Sequence, residues 1–307
     1  MIDSISVTSD YGKLTIDLKD PSTSGFFIVD IEGLGPPKAD IITTTAPSVD
    51  GSRFNMSRTN QRNLTLTIGV LGLNNDVDGT RQSLYRYFPI KRSVRFGIKL
   101  PNRDVVIDGY VESIEAQIFN KVSHNVISLI CTKPYFRKRL NDVIYLNAAI
   151  PMFEYPFQNE GLDPTLIMGE IISRYSYDVN YEGDVPTGLT IQMTFAGPVE
   201  GSIRLQNHVL TNFFHEIQTM AIDTRMVETI TGGSIQNGDE IFITTHVGSK
   251  RIFLKRGSTY YSIINALEPG TTWLTIYPGT NALVFNAEIG NPYMSSKVLF
   301  DVLYEGV

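Results

Sequence analysis

The chain has 307 residues, 42% of them hydrophobic and 19% charged, with a formal net charge of −6. Residues 1–140 carry 18 Lys and Arg against 14 Asp and Glu, whereas residues 141–307 carry 8 against 18. The halves therefore differ in sign, which suggests two separately built domains and excludes the acidic C-terminal half as a grip on phosphate backbones. The opening MIDSISVTSDYGK has neither a basic stretch nor an apolar core of a secretory signal, and no run approaches the roughly 20 apolar residues of a membrane helix. The expectation is a soluble protein made in a cytoplasm, with no membrane insertion. The single cysteine, Cys131 in VISLICT, excludes an internal disulfide and a multi-cysteine metal site, and reads as an inert buried thiol.

Taken in chain order, period-2 alternation dominates, beginning with Leu14, Ile16 and Leu18. Strands are expected at 26–32, 41–45, 63–71, 93–100, 105–119 and 122–132, with LPNRDV (100–105) turning one pair into a hairpin. One helix interrupts them in NNDVDGTRQSLYRYFP: Asn75, Asp76 or Asp78 caps it, Leu84, Tyr85 and Phe88 form its apolar stripe, and Pro89 stops it. Between residues 45 and 61 lies APSVDGSRFNMSRTNQ, a polar segment whose only large apolar residues are Val49, Phe54 and Met56. A loop of that length in a compact domain is usually functional or disordered. The border between domains falls near KPYFRKRLND, and NAAIPMFEYPFQNEGLDP reads as an irregular linker. Further strands are expected at 166–175, 201–210, 240–247, 250–255 and 297–304, and Leu189, Ile191, Met193 and Phe195 alternate with Thr190, Gln192 and Thr194. Many short strands with turns at intervals of roughly ten residues describe a mainly β protein built of sandwiches or jelly rolls.

A search for chemistry finds no phosphate-binding loop, dinucleotide fingerprint, nucleophile elbow or zinc-protease motif. His124, His208, His215 and His246 are scattered without metal-ligand spacing. Asn74, Asp76, Asp78 and Gly79 begin a calcium-loop pattern, but Tyr85 stands where a bidentate Glu is required, so helix capping is the better reading. Glu154, Glu160, Asp163 and Asp239 are carboxylates that a glycosidase would need in a pair, a separation that sequence does not show. YRYFPIKRSVRF (85–96) and YFRKRL (135–140) interleave bases with aromatics as a single-strand groove does; Arg86, Lys91, Arg92 and Arg95 read more simply as a wet helix and strand face. No catalytic residue, metal site or cofactor is expected.

NYEGDVPTGLTI (180–191), NGDEIFITTHVGSKRIFL (237–254), WLTIYPGTNALVFNA (273–287) and the ending VLFDVLYEGV resemble, in order and spacing, the second domain of siphophage distal tail proteins, the baseplate hub family. IEGLGPPKADIITTTAPSVDGSRF, RNLTLTIGVLG and DGTRQSLYRYF are similar to its first domain. The segment at 210–233 does not align with the family's short strand pair. The resemblance implies an N-terminal β-sandwich-like domain (1–139) with one helix and a long arm loop at about 46–60, and a C-terminal galectin-like or carbohydrate-module-like jelly-roll sandwich (140–307). It implies a homohexameric ring at the distal end of the virion tail, assembled from host cytoplasm. The expected partners are the major tail tube protein, a tail-tip hub or tail-associated protein, a receptor-binding protein and a host-surface saccharide. Duplex DNA would pass through without specific binding. Val49, Arg53, Phe54, Met56 and Arg58 are the arm residues expected to touch a neighbouring subunit. The alternative is a lectin-like protein that binds host-surface glycans.

The only tryptophan, Trp273, precedes a Pro-Gly-Thr-Asn turn. Runs at 273–277 and 282–287 flank that turn and read as a hairpin. Leu274 and Ile276 would face the core, leaving Trp273 and Tyr277 on the other side as candidates for packing, protein contact or a glycan.

Overall fold

The computed structural model describes residues 2–45, 50–73, 76–117, 123–146, 148–151, 169–172, 175–210 and 215–307, the two short segments 148–151 and 169–172 by backbone alone. The expected linker at 147–164 and the strand at 166–175 fall largely outside these residues. The chain divides into two units, residues 1–139 with 303–307, and residues 140–302. The last five residues, expected in the second domain, thus fold with the first.

In the first unit the strands are β1 (Ser4–Ser9), β2 (Gly12–Asp17), β3 (Phe26–Glu32), β4 (Ala39–Thr44), β5 (Arg53–Thr59), β6 (Arg62–Val70), β7 (Ser93–Lys99), β8 (Asp104–Gln117), β9 (His124–Cys131) and β10 (Phe136–Lys138). One antiparallel sheet runs β2-β1-β7-β8-β9-β6-β3, and β10 adds to β8. Alternation places Leu64, Leu66 and Ile68 of β6, Phe96 and Ile98 of β7, and Ile127 and Leu129 of β9 in the core. The β7–β8 hairpin closes as expected, with the Leu100 N–H donating to the Arg103 carbonyl. Helix α1 (Val77–Tyr87) is capped by Asp76, whose Oδ1 accepts from the Gly79 N–H at 2.8 Å. Leu84 and Phe88 are fully buried, but Tyr85 points out and is not part of the stripe, because only the former pair lies four residues apart on one face. Asn74 and Asn75 lie outside the described residues.

The second unit adds β11 (Asp142–Leu146), β12 (Ala148–Pro151), β13 (Gly169–Ile172), β14 (Ser176–Tyr181), β15 (Thr187–Phe195), β16 (Glu200–Leu210), β17 (His215–Asp223), β18 (Glu240–Thr244), β19 (Arg251–Arg256), β20 (Thr259–Ser262), β21 (Thr275–Ile276), β22 (Gly279–Ile289) and β23 (Met294–Phe300). Its two larger sheets run β11-β23-β15-β18-β19-β20, with β21 on β15, and β14-β22-β16-β17. Burial alternates strictly along β15, so Leu189, Ile191 and Met193 face inward as the sequence pattern requires. Leu205, Val209, Leu283 and Phe285 do the same in the smaller sheet, which gives the unit its sandwich character. The segment that resisted alignment is β17 followed by helix α2 (Thr224–Thr231), capped by Asp223 and ended by Gly232 in the left-handed conformation.

The final expected strand, 297–304, is in fact two. β23 closes the second unit, and β24 (Leu303–Tyr304) pairs with β10 in the first. Asp301 and Val302 carry the chain from one to the other.

Candidate functional site

The long polar segment is not simply a loop. Residues 53–59 form β5, which pairs antiparallel with β4, and among the described residues this two-stranded ribbon joins no other sheet. β-branched Ile41, Ile42, Thr43 and Thr44 favour the extended backbone, and a bulge between Ile42 and Thr43 leaves Asn55 unpaired, its side chain donating to Thr44 Oγ1 at 2.6 Å. Across the ribbon Ile42 faces Met56 and Thr43 faces Phe54.

Its exposure sets this ribbon apart. Ile41 is 66% exposed, Phe54 60%, Met56 55% and Ile42 43%. A lone two-stranded ribbon is marginally stable in water, and large apolar groups held out in this way mark a contact surface. Completing the burial of four half-exposed side chains would contribute roughly 1 kcal/mol each, about 4 kcal/mol before ordering costs. Arg53 is also exposed, and Arg58 makes only an open 3.4 Å ion pair with Asp40, worth little in solvent. Val49 lies outside the described residues.

The ribbon's base is polar and well tied. The Asn60 N–H donates to the Lys38 carbonyl, and Tyr135 OH lies 3.0 Å from Thr59 Oγ1. Arg62, 4% exposed, donates to the carbonyls of Pro134 (2.6 Å), Gly33 (2.7 Å), Gly35 (2.7 Å) and Glu305, over the Phe136 ring at 4.6 Å. Burial lowers the Arg62 pKa, but a guanidinium stays charged throughout the range in which proteins fold. The buried Arg was not legible in the sequence, and β5 was legible only as a strand-like arm with Phe54 and Met56 as anchors, without its pairing to β4.

Trp273 and Tyr277 sit elsewhere, in the second unit. The expected hairpin is not formed. β21 pairs with Thr187 and Gly188 of β15, whereas β22 pairs with β14 and β16, so the Pro278-Gly279 turn carries the chain from one sheet to the other. The physical reason is Asn281, fully buried, which replaces hairpin pairing with side-chain bonds: it accepts from the Tyr277 N–H (3.1 Å) and donates to the carbonyls of Tyr277 (2.7 Å) and Gly279 (3.1 Å). Asn207 Nδ2 reaches both Asn281 Oδ1 (3.1 Å) and the Thr275 carbonyl (2.8 Å). Leu274 and Ile276 are buried, and Trp273 and Tyr277 are half-buried on the opposite side. Lys250 Nζ lies 5.3 Å from the Trp273 ring centroid, so one face of the indole already holds a cation.

Several basic residues of the first unit are matched by carboxylates. Arg95 and Arg137 both bind Asp108, at 2.8 and 2.6 Å, Arg139 binds Asp104 at 2.8 Å, and Arg92 lies 3.4 Å from Asp10. Burial works to raise the Asp108 pKa, but the two guanidinium groups outweigh it and hold the carboxyl below its usual range. Of the carboxylates considered for glycosidase chemistry, Asp239 is 1% exposed and bound by Arg256 through contacts of 2.9 and 2.7 Å, which makes it a fastening of the 233–239 turn. Glu154, Glu160 and Asp163 lie outside the described residues. His246 Nε2 is 3.3 Å from Thr190 Oγ1, and His124 packs edge-on to Phe27. Among the described residues no group of three or more His, Cys, Asp and Glu is placed to hold a metal ion, and no helix is long and apolar enough to cross a membrane.

No protein-family model matches the chain, and no curated protein matches it in sequence. Among solved structures it is similar to the Dit protein of phage SPP1, described as a paradigm of the hub adsorption apparatus in phages that infect Gram-positive hosts. The TM-score is 0.60 at 13% identity, over 97% of this chain and 98% of that one. Chains of the phage p2 baseplate in its activated conformation also align, at 10% identity each. With Sr the TM-score is 0.44, covering 97% of both chains; with Ca it is 0.46, covering 100% of both. The chain therefore has a mainly β, Dit-like fold over nearly its whole length, as the sequence resemblance implied.

Proposed function

We propose that this protein is a structural component of a siphophage tail tip, a baseplate hub whose first unit assembles into a homohexameric ring between the tail tube and the adsorption apparatus. The observation that carries the reading is the whole-length fold likeness to SPP1 Dit. The exposed ribbon supports it, because an unsupported strand pair with apolar groups on both faces is best explained by burial on a neighbouring subunit. Arg53, Phe54, Met56 and Arg58, with Val49, are the arm in this reading, and the role is assembly rather than catalysis. The major tail tube protein and a tail-associated hub protein would bind the two sides of the ring, and the second unit would meet a receptor-binding protein or a host saccharide. Duplex DNA would slide through the lumen. The pairing of Arg92, Arg95, Arg137 and Arg139 with carboxylates supports this, since paired cations release fewer counterions to phosphate. The protein's place is then the distal end of the virion tail, reached from the host cytoplasm.

Mass photometry of the purified full chain tests this directly. A hexamer, or a concentration-dependent mixture of monomer and ring, is expected. The double substitution Phe54→Ser with Met56→Ser should leave the melting temperature nearly unchanged, as surface changes alter stability by about 0.5 kcal/mol or less, while lowering the ring fraction. A strict monomer at all concentrations that binds glycans would instead establish the lectin-like alternative.

A further inference from the structure

The ribbon's base contains a joint that its own strands do not explain. The chain leaves the main sheet at Gly33 and re-enters it at Arg62, the first residue of β6. The Arg62 guanidinium reaches back to the carbonyls of Gly33 and Gly35, so one side chain closes the excursion at its foot. The same group holds the carbonyl of Pro134, at the entrance to β10, and that of Glu305. The C-terminal tail is bound to the same place independently: the Val307 N–H donates to the Leu34 carbonyl at 3.1 Å, β24 pairs with β10, and Tyr304 lies under Arg103 at 4.6 Å. Gly33 adopts a φ of +87°, and a Cβ there would collide with the Asn63 carbonyl, so the foot has one backbone path.

We infer that Arg62 and the C-terminal tail form a single joint that sets the direction in which the ribbon projects. A buried guanidinium has five N–H groups in a rigid fork, and four backbone carbonyls from three separate segments, at 33–35, 134 and 305, accept from it here. Removing the tail takes away one of the four acceptors and leaves a charged N–H of Arg62 without its partner, a costly state. The guanidinium then turns toward water, and in turning it releases Gly33 and Gly35, the carbonyls that hold the ribbon's foot. Arg62 is thus a positioning residue for the ribbon. Its consequence for assembly rests on the reading of the ribbon as the subunit contact.

The test measures ribbon direction in the full chain. Nitroxides attached at Ser57→Cys on β5 and Ser93→Cys on β7, both exposed, report their separation by pulsed electron paramagnetic resonance, with the labelled chain diluted in unlabelled protein. Cys131 is fully buried and takes no label. A single narrow distance peak is expected for the parent, and its loss for Arg62→Lys, whose ammonium cannot span four carbonyls, and for the chain ending at Val302. Gly306→Val probes the tail while leaving Arg62 intact, because the new Cβ would stand 3.1 Å from the Leu34 carbonyl; it too should broaden the peak. Ring formation by these variants should fall about tenfold, the effect of one charge-assisted hydrogen bond. An unchanged narrow peak in Gly306→Val and in the truncated chain overturns the joint. A parent that never forms rings refutes the proposed function instead, and the distance measurement on the single chain still decides the joint.

Discussion

Replacing Asn281 with Ala should destabilise the second unit well beyond what a small polar residue in a turn would suggest. Its fully buried amide makes four hydrogen bonds: Oδ1 accepts from Tyr277 N–H and Asn207 Nδ2, and Nδ2 donates to the carbonyls of Tyr277 and Gly279. At a net value of about 1 kcal/mol for each of the three bonds to the 277–279 backbone, and counting nothing for Asn207, which keeps its bond to the Thr275 carbonyl, the loss is about 3 kcal/mol. For a unit of this size that corresponds to roughly 6–12 °C in melting temperature. Scanning calorimetry of the full chain reads it as a downward shift of one transition. Asn281→Asp adds a diagnostic of sign. Its second oxygen would face the two carbonyls that Nδ2 now serves, so only the protonated acid fits and the folded pKa rises above the unfolded value of about 3.9. Stability should therefore approach the parent's below about pH 4 and decline as pH rises. A shift smaller than about 2 °C for Asn281→Ala, or no pH dependence for Asn281→Asp, would refute the assignment of the corner to this amide.

Asp108 carries a second pH dependence with the opposite sign. Its depressed folded pKa means that stability of the first unit is present above the unfolded carboxyl value, about 3.9, and is lost as pH falls through the folded one. Asp108→Asn should flatten that acid limb in melting curves collected from pH 7 to pH 2. Cys131, fully buried, has its thiol pushed up to about 12, chiefly by burial, so thiol reagents at pH 8 should leave the native chain unmodified and react after denaturation. Prompt modification of the native chain would contradict this, because a low-pKa, accessible thiol is required for it.

The sequence by itself determined whatever depends on neighbours within a few residues. Alternation along Leu189, Ile191, Met193 and Phe195 named the buried face of β15, because side chains two apart must share a face. Asp76 was legible as one of three candidate helix caps, since a short acceptor before an apolar-periodic run satisfies free N–H groups of the first turn. The resemblance motifs brought the overall fold with them. What only the tertiary structure decided were the partners of strands. Trp273–Tyr277 and 282–287 look like two arms of a hairpin because local turn chemistry allows it, yet Asn207 and Asn281, far apart in sequence, bond across the corner and send the arms to different sheets. Residues 53–59 looked like a loop because they lack a buried face, and that same lack is what a strand pair with no supporting sheet shows. The ending at 297–304 reads as one strand, but its last residues pair with β10 and its earlier ones with β15. Arg62 was silent for the same reason: its four acceptors are backbone carbonyls, which every residue has, and only the folded chain brings those four together.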